Sequence, residues 1–118
     1  MDKEQYTISK FRPKNFKREI MKPIRIFLLD EHRLFTQVVQ SLLEQNLEFE
    51  VVGQAQTMLD GVSKIFVTKP DIVLMDYHLP DGSGIEASNI IFKKFPLIKI
   101  IFLTIEQDHK IMKSAMNV

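Results

Sequence analysis

Four short apolar blocks, separated by stretches whose apolar residues recur at helical spacing, constrain this chain more than any other feature. Ile24, Ile26, Phe27, Leu28 and Leu29 form a nearly continuous run that stops at Asp30, as a strand buried on both faces does. Leu34, Phe35, Val38, Val39, Leu42 and Leu43 then recur at intervals of three and four, with Gln37, Gln40 and Glu44 on the other faces, which predicts a first helix. Phe49, Val51 and Val52 before Gly53 predict a second strand. Met58, Leu59, Val62, Ile65 and Phe66 predict a second helix, weakened by Gly61. Ile72 to Met75 reads as a third strand, entered through the turn Lys69, Pro70, Asp71 and ended by Asp76. Leu79 to Gly84 reads as a loop, Ile85 to Phe95 as a third helix stopped by Pro96, and Leu97 to Leu103 as a fourth strand. Ile111, Ala115 and Val118 suggest a fourth helix. Alternation of this kind, with short connections, specifies an α/β fold of about four βα units: a parallel sheet with helices on both faces.

Composition removes several classes of function. A chain of 118 residues suits one domain, and 45% hydrophobic with 26% charged residues is ordinary for a globular protein, which excludes collagen-like and wholly disordered chains. The absence of cysteine excludes a disulfide framework, a thiolate zinc site and a thiol nucleophile. No apolar run approaches the ~20 residues of a membrane-spanning helix, and the N-terminus has no signal-peptide core, so a soluble, cytoplasmic protein without membrane association is expected. Charge is uneven: residues 1–25 carry eight basic and three acidic side chains, a net +5, and the remainder carries −4. Residues 1–20 are polar and aperiodic, with only Tyr6, Phe11 and Phe16 interleaved, and are read as a flexible basic extension. A solvated tail is preferred there over an arm that touches nucleic acid or an acidic partner.

Asp30 and Glu31 follow the first strand and Asp76 follows the third. Ligands of open parallel sheets bind outside the carboxyl ends of the strands, where the strand order reverses. If the first and third strands are neighbours, the three acids face one crevice and can all stay ionised only around a shared cation. Oxygen donors favour a hard ion such as Mg²⁺, which binds through one or two carboxylates and phosphate oxygens. The competing reading is that these acids cap the helices that follow them. His32, His78 and His109 show no spacing typical of metal ligation and are expected at the surface or behind the ligands.

The run from Ile24 to Phe35, with Asp30, Glu31 and His32 at its centre, resembles the first strand and acidic pair of the receiver domain of two-component response regulators, in the form found in the NarL/LuxR-type branch. Lys69 to Glu86, including Asp76, Tyr77, His78, Leu79, Pro80, Asp81 and Gly82, matches that family's phospho-acceptor segment almost position by position, and Leu103 and Thr104 fit the end of its fourth strand. The resemblance covers Lys22 to Val118, making residues 21–118 a receiver-like domain, and it implies a flavodoxin-like fold. It implies further that Asp76 accepts a phosphoryl group from a histidine kinase or phosphotransfer protein. Mg²⁺ would be held by Glu31 directly, by Asp30 through water, by Asp76 and by the backbone carbonyl of His78, and Thr104 would be the switch hydroxyl. The expected role is a signalling module within a transcriptional regulator rather than a turnover enzyme, with no direct DNA binding by this chain.

Two departures qualify the resemblance. Glu31 stands where the branch usually has Asp, and the extra methylene loosens the metal geometry. The family's fifth strand, its terminal lysine and its fifth helix have no counterpart before Val118, so phosphorylation is expected to be slow or poorly transmitted. Leu97 to Leu103 is then an apolar edge, and self-association through it or by exchange of elements is expected. Two rivals remain. One is a phosphorylation-independent interaction or decoy module. The other is a Mg²⁺-dependent aspartyl phosphatase of the haloacid-dehalogenase kind, disfavoured because His78 stands where that signature needs a second Asp.

Overall fold

The computed structural model describes residues 22–103. Within them the chain runs β1 (Ile24–Leu29), α1 (Arg33–Glu44), β2 (Phe49–Ala55), α2 (Met58–Thr68), β3 (Ile72–Met75), β4 (His78–Leu79), β5 (Gly82–Ser83), α3 (Gly84–Lys94) and β6 (Lys99–Phe102). The four longer strands form one parallel sheet in the order β2-β1-β3-β6, the flavodoxin-like arrangement expected. From β1 the chain passes to β2 on one side and then to β3 on the other, so the order reverses at the β1/β3 pair. The basic extension, Thr104, His109 and the fourth helix expected from Ile111, Ala115 and Val118 lie outside the described residues. Among the described residues no helix is long and apolar enough to cross a membrane.

The sheet is packed unequally on its two faces. Phe27 and Leu29 of β1, Val73 and Met75 of β3, Ile65 of α2 and Ala87 and Ile91 of α3 make one buried cluster with Ala55 and Leu79. On the opposite face Leu28 and Leu74 line one small space together with Phe35 and Val39 of α1. Local signals start and stop the helices. The Thr57 hydroxyl accepts from Asp60 N at 3.2 Å and opens α2, and the Ser83 hydroxyl accepts from Glu86 N at 3.0 Å and opens α3. At the end of α2 Lys69 turns left-handed with φ 47°, costing about 1 kcal/mol for a residue with a Cβ. Its carbonyl takes a hydrogen bond from the Arg25 guanidinium at 2.9 Å, which offsets part of that cost.

Several boundaries differ from the sequence reading. β2 runs on through Gly53 to Ala55, because the register with β1 shifts between Ile26 and Phe27 and sets the Phe27 ring against the glycine. Leu79 to Gly84 contains a two-strand hairpin, His78 pairing with Ser83 and Leu79 with Gly82. β6 begins at Lys99 rather than Leu97. The chain turns at Pro96 with Ile98 N donating to the Phe95 carbonyl, which leaves Leu97 exposed. The apolar stripe of α1 is only half used: Leu34, Val38 and Leu42 are exposed, and the one buried residue of the helix is Thr36. α2 runs through Gly61 without a break, and packing gives the glycine a place there. A Cβ there would meet the Leu29 methyl carbons at 2.6 and 2.8 Å, so its absence lets the helix lie close on β1.

Candidate metal and phospho-acceptor site

The ladder itself brings the acids together. Leu29 pairs with Met75, and the next amides continue the pattern: Asp30 N donates to the Ala55 carbonyl at 3.1 Å and Asp76 N to the Leu29 carbonyl at 2.8 Å. Asp30 and Asp76 therefore stand side by side at the carboxyl ends of β1 and β3, at the point where the strand order reverses. Their side chains are 9% and 13% exposed. Burial, followed by the charge of Asp30, pushes the Asp76 carboxyl above its ordinary value.

Asp30 both shapes the backbone and lines the crevice. Its Oδ1 accepts from His32 N at 2.8 Å, which forms the turn into α1, and from His32 Nδ1 at 3.0 Å. His32 is the N-cap of α1, yet its side chain makes no capping bond and turns back over the acids instead. Nδ1 lies 3.8 Å from Asp76 Oδ2, and Nε2 lies 3.6 Å from Glu31 Oε2. The hydrogen bond to Asp30, helped by the charges of Asp30, Glu31 and Asp76, raises the imidazole above its ordinary value. Asp30, His32 and Asp76 each offer a ligand atom within 4.8 Å of the others.

Of the residues singled out from sequence, Asp30 and Asp76 thus converge, and Glu31 sits at the rim, 39% exposed and facing His32. His78 lies in β4, where its N–H approaches Asp76 Oδ1 at 3.4 Å. Thr104 lies outside the described residues. His32 was expected at the surface or behind the ligands, and there it stands, its side chain 65% exposed and its ring against Asp30 Oδ1. The readable signal was its place two residues after a strand-end Asp, where an Asx turn folds the chain back. Donor chemistry fits a divalent cation: a buried and a half-buried carboxylate on neighbouring strands have no lysine or arginine in an ion pair with them among the described residues, and oxygen donors suit a hard ion such as Mg²⁺.

The loop after β3 is fastened at two points. Gly84 N donates to the Tyr77 carbonyl at 2.7 Å, and Asp81 accepts from Met58 N at 2.6 Å and Leu59 N at 2.9 Å at the start of α2. Those amides hold the Asp81 carboxyl below its ordinary value. A depressed carboxyl contributes stability above its unfolded value and loses it as pH falls through the folded one. Asp81→Ala is therefore expected to lower the thermal midpoint at neutral pH and to flatten its decline into acid, as a midpoint-against-pH series would record. The opposite sign holds at Asp76, where the ionised form is disfavoured by folding and costs stability at neutral pH. Asp76→Asn is expected to stabilise the metal-free chain by roughly 1 kcal/mol, the usual gain when a functional group in tension is neutralised. A urea unfolding curve at neutral pH checks it.

Comparison with known proteins agrees with this geometry. The response regulator receiver domain family matches residues 26–118. The transcriptional regulatory protein DegU of Brevibacillus brevis is 33% identical over 85 residues, covering 72% of this chain and 36% of the relative. The DNA-binding transcriptional activator DevR/DosR of Mycobacterium tuberculosis is 30% identical over 81 residues, covering 69% and 37%. A LuxR-family two-component response regulator from Aurantimonas sp. SI85-9A1 superposes with a TM-score of 0.72 at 29% identity, covering 80% of this chain and 68% of that one. The chain spans just over a third of the length of the curated relatives it matches. It belongs to the response regulator receiver domain family, among relatives of the NarL/LuxR type.

Proposed function

We propose that the chain is a cytoplasmic phospho-acceptor module of two-component signalling, taking a phosphoryl group on Asp76 from a histidine kinase or phosphotransfer protein. The observation that carries this reading is the pairing of Asp30 with Asp76 at the β1/β3 switch point. An Asp76 carboxylate oxygen forms the new bond to phosphorus while the bond from phosphorus to the donor's histidine nitrogen breaks, and the imidazole leaves with a proton. Mg²⁺ bound by Asp30, Glu31, Asp76 and the His78 carbonyl would neutralise charge on the phosphoryl oxygens. The protein's part is to hold Asp76 in line at a fixed strand end, and to keep its loop in place through Asp81 and Gly84. Thr104 is assigned by family resemblance to the hydroxyl that bonds the phosphoryl group once transferred.

The DegU and DevR/DosR relatives are transcriptional regulators by name. A place in a longer transcriptional response regulator, acting as a signalling domain rather than a turnover enzyme, is part of the same proposal. So is self-association along β6, the outermost strand on that side among the described residues, whose Ile101 is exposed.

Incubation with acetyl phosphate and Mg²⁺, followed by intact-mass measurement, tests the reading. A phospho-adduct that disappears in Asp76→Asn is the expected result. No adduct would favour an interaction module that works without phosphorylation, and sustained phosphate release would favour the phosphatase. Mg²⁺ at a hundredfold over its dissociation constant should also stabilise the chain by about 2.7 kcal/mol through linkage, and Asp76→Asn should reduce that gain.

A further inference from the structure

We propose that the amino end of the sheet, across the molecule from Asp76, is a docking groove for an acidic peptide segment with apolar side chains, presented by a partner protein. The amino ends of β1, β3 and β6 lie side by side, because the three strands are parallel neighbours. Between them and the turn that joins α3 to β6 the surface folds into a groove of about 600 Å³. That is the size of a ligand cleft rather than of a dimple between side chains. Ile24, Phe95 and Leu97 contribute apolar walls, and Lys69, Lys94 and Lys99 belong to the same lining.

Charge chooses the occupant. Asp71 is the one acid in the lining, and its Oδ2 accepts from Arg25 N at 2.9 Å, which commits it to the β1 backbone. The three lysines are exposed and make no ion pair among the described residues, where the lysine that does so is Lys64, with Asp60. Lys69 sits at φ 47°, a conformation that glycine adopts freely and lysine does not, so the fold keeps a cation at this place despite the backbone strain. The sequence adds to the same field: residues 1–25 carry a net +5 and run into the groove at Ile24. That segment repels the lysines and is therefore a poor occupant itself. Nucleic acid would satisfy the lysines but would leave the apolar walls facing sugar and phosphate. A peptide that alternates carboxylates with apolar side chains meets both features: the carboxylates pair with the lysines, and the apolar side chains take the walls out of water.

A fluorescein-labelled peptide of alternating glutamate and leucine, titrated with the 118-residue chain and followed by anisotropy, provides the test. The same peptide with glutamine for glutamate, and a labelled DNA duplex, are the comparison probes. The variants are Lys69→Glu combined with Lys99→Glu, Leu97→Ser, and Lys64→Glu as a control on α2. Leu97 is 92% exposed and the lysines lie at the surface, so all are expected to fold. Lys94 is left in place because in the last turn of α3 it also complements the helix dipole. The expected result is that the acidic peptide binds the parent chain, that its affinity falls about tenfold in the double lysine variant and again about tenfold in Leu97→Ser, and that Lys64→Glu leaves it unchanged. No binding by the parent, equal affinity in the parent and both groove variants, or equal binding of the glutamine peptide overturns the inference. So does a duplex that binds more tightly than the peptide and ignores Leu97→Ser, which would assign the lysines to nucleic acid. Sedimentation that shows paired chains, parted by Leu97→Ser, would give the groove to a second copy and overturn it as well. None of these outcomes touches the phospho-acceptor reading, because Asp76 follows the opposite end of β3.

Discussion

Gly84→Ala is expected to destabilise the chain by roughly 3 kcal/mol and to slow formation of the Asp76 phospho-adduct, although alanine is the better helix former. Gly84 opens α3 directly behind the acceptor loop. A Cβ there would land on the Asp76 carbonyl oxygen and within 2.7 Å of the Phe102 ring. Its φ is not positive, so the substitution carries no dihedral penalty, and the whole cost is one of space. The group in the way is backbone, held by the sheet: Asp76 N is bonded to the Leu29 carbonyl, and Leu103 N to the Met75 carbonyl. Relief therefore requires moving either the acceptor residue or the helix that supports its loop. Gly82, two residues earlier, is the control. A Cβ at Gly82 would meet Met58 Sδ at 2.7 Å and Cε at 2.8 Å, and Glu86 Oε1 at 3.0 Å, all ends of flexible side chains that can swing away. Gly82→Ala is expected to cost less than about 1 kcal/mol. Urea unfolding of both variants, with adduct formation timed by mass, checks the contrast. Equal costs would mean that the approach of α3 to Asp76 is not rigid.

The convergence of Asp30 and Asp76 was legible from the sequence because it needs only two facts: apolar runs that stop at an acid, and a parallel sheet in which strands one and three are neighbours. Both are properties of pattern and topology. The surface place of His32 was legible too, but the contact of its ring with Asp30 was not, because it depends on an Asx turn that the spacing alone permits without requiring. Thr36 was missed for a related reason. It lies off the apolar stripe, but its hydroxyl reaches Gln54 Oε1 at 2.8 Å, and Gln54 Nε2 donates to Gln40 Oε1 at 3.1 Å. That polar chain ties α1 to β2, and it exists because β2 continues past Gly53, where the sequence reading stopped. Conversely, Leu34, Val38 and Leu42 fit a buried helix face by period alone, and the structure leaves them exposed. Periodicity reports that a stripe is apolar and not what covers it.

Phe27→Ala is expected to cost about 3–5 kcal/mol, a large share of the ~5–15 kcal/mol that stabilises a domain of this size, and to leave the variant close to its unfolding threshold. Phe27 is fully buried in the cluster beneath α2 and α3, so removing its ring takes a large apolar surface out of the core. Its partner across the strands is Gly53, where an added Cβ would come within 2.9 Å of the ring. Ring and glycine are therefore two halves of one fit, placed opposite each other by the register shift after Ile26. That shift also determines what lies downstream: it sets Gln54 opposite Leu28 and Ala55 opposite Leu29, and the Ala55 carbonyl then receives Asp30 N. The core pair thus fixes how far β1 extends along β2 before Asp30. Gly53→Ala alone should destabilise by overpacking, by about 1–3 kcal/mol, and Phe27→Leu alone by lost burial. Combined, the two should cost less than their sum by at least about 0.5 kcal/mol, because leucine vacates the space that the new methyl needs. A double-mutant cycle in urea decides the point, since strict additivity would separate the ring from the glycine. Restored Mg²⁺ affinity in the double variant would link that packing to the placement of Asp30.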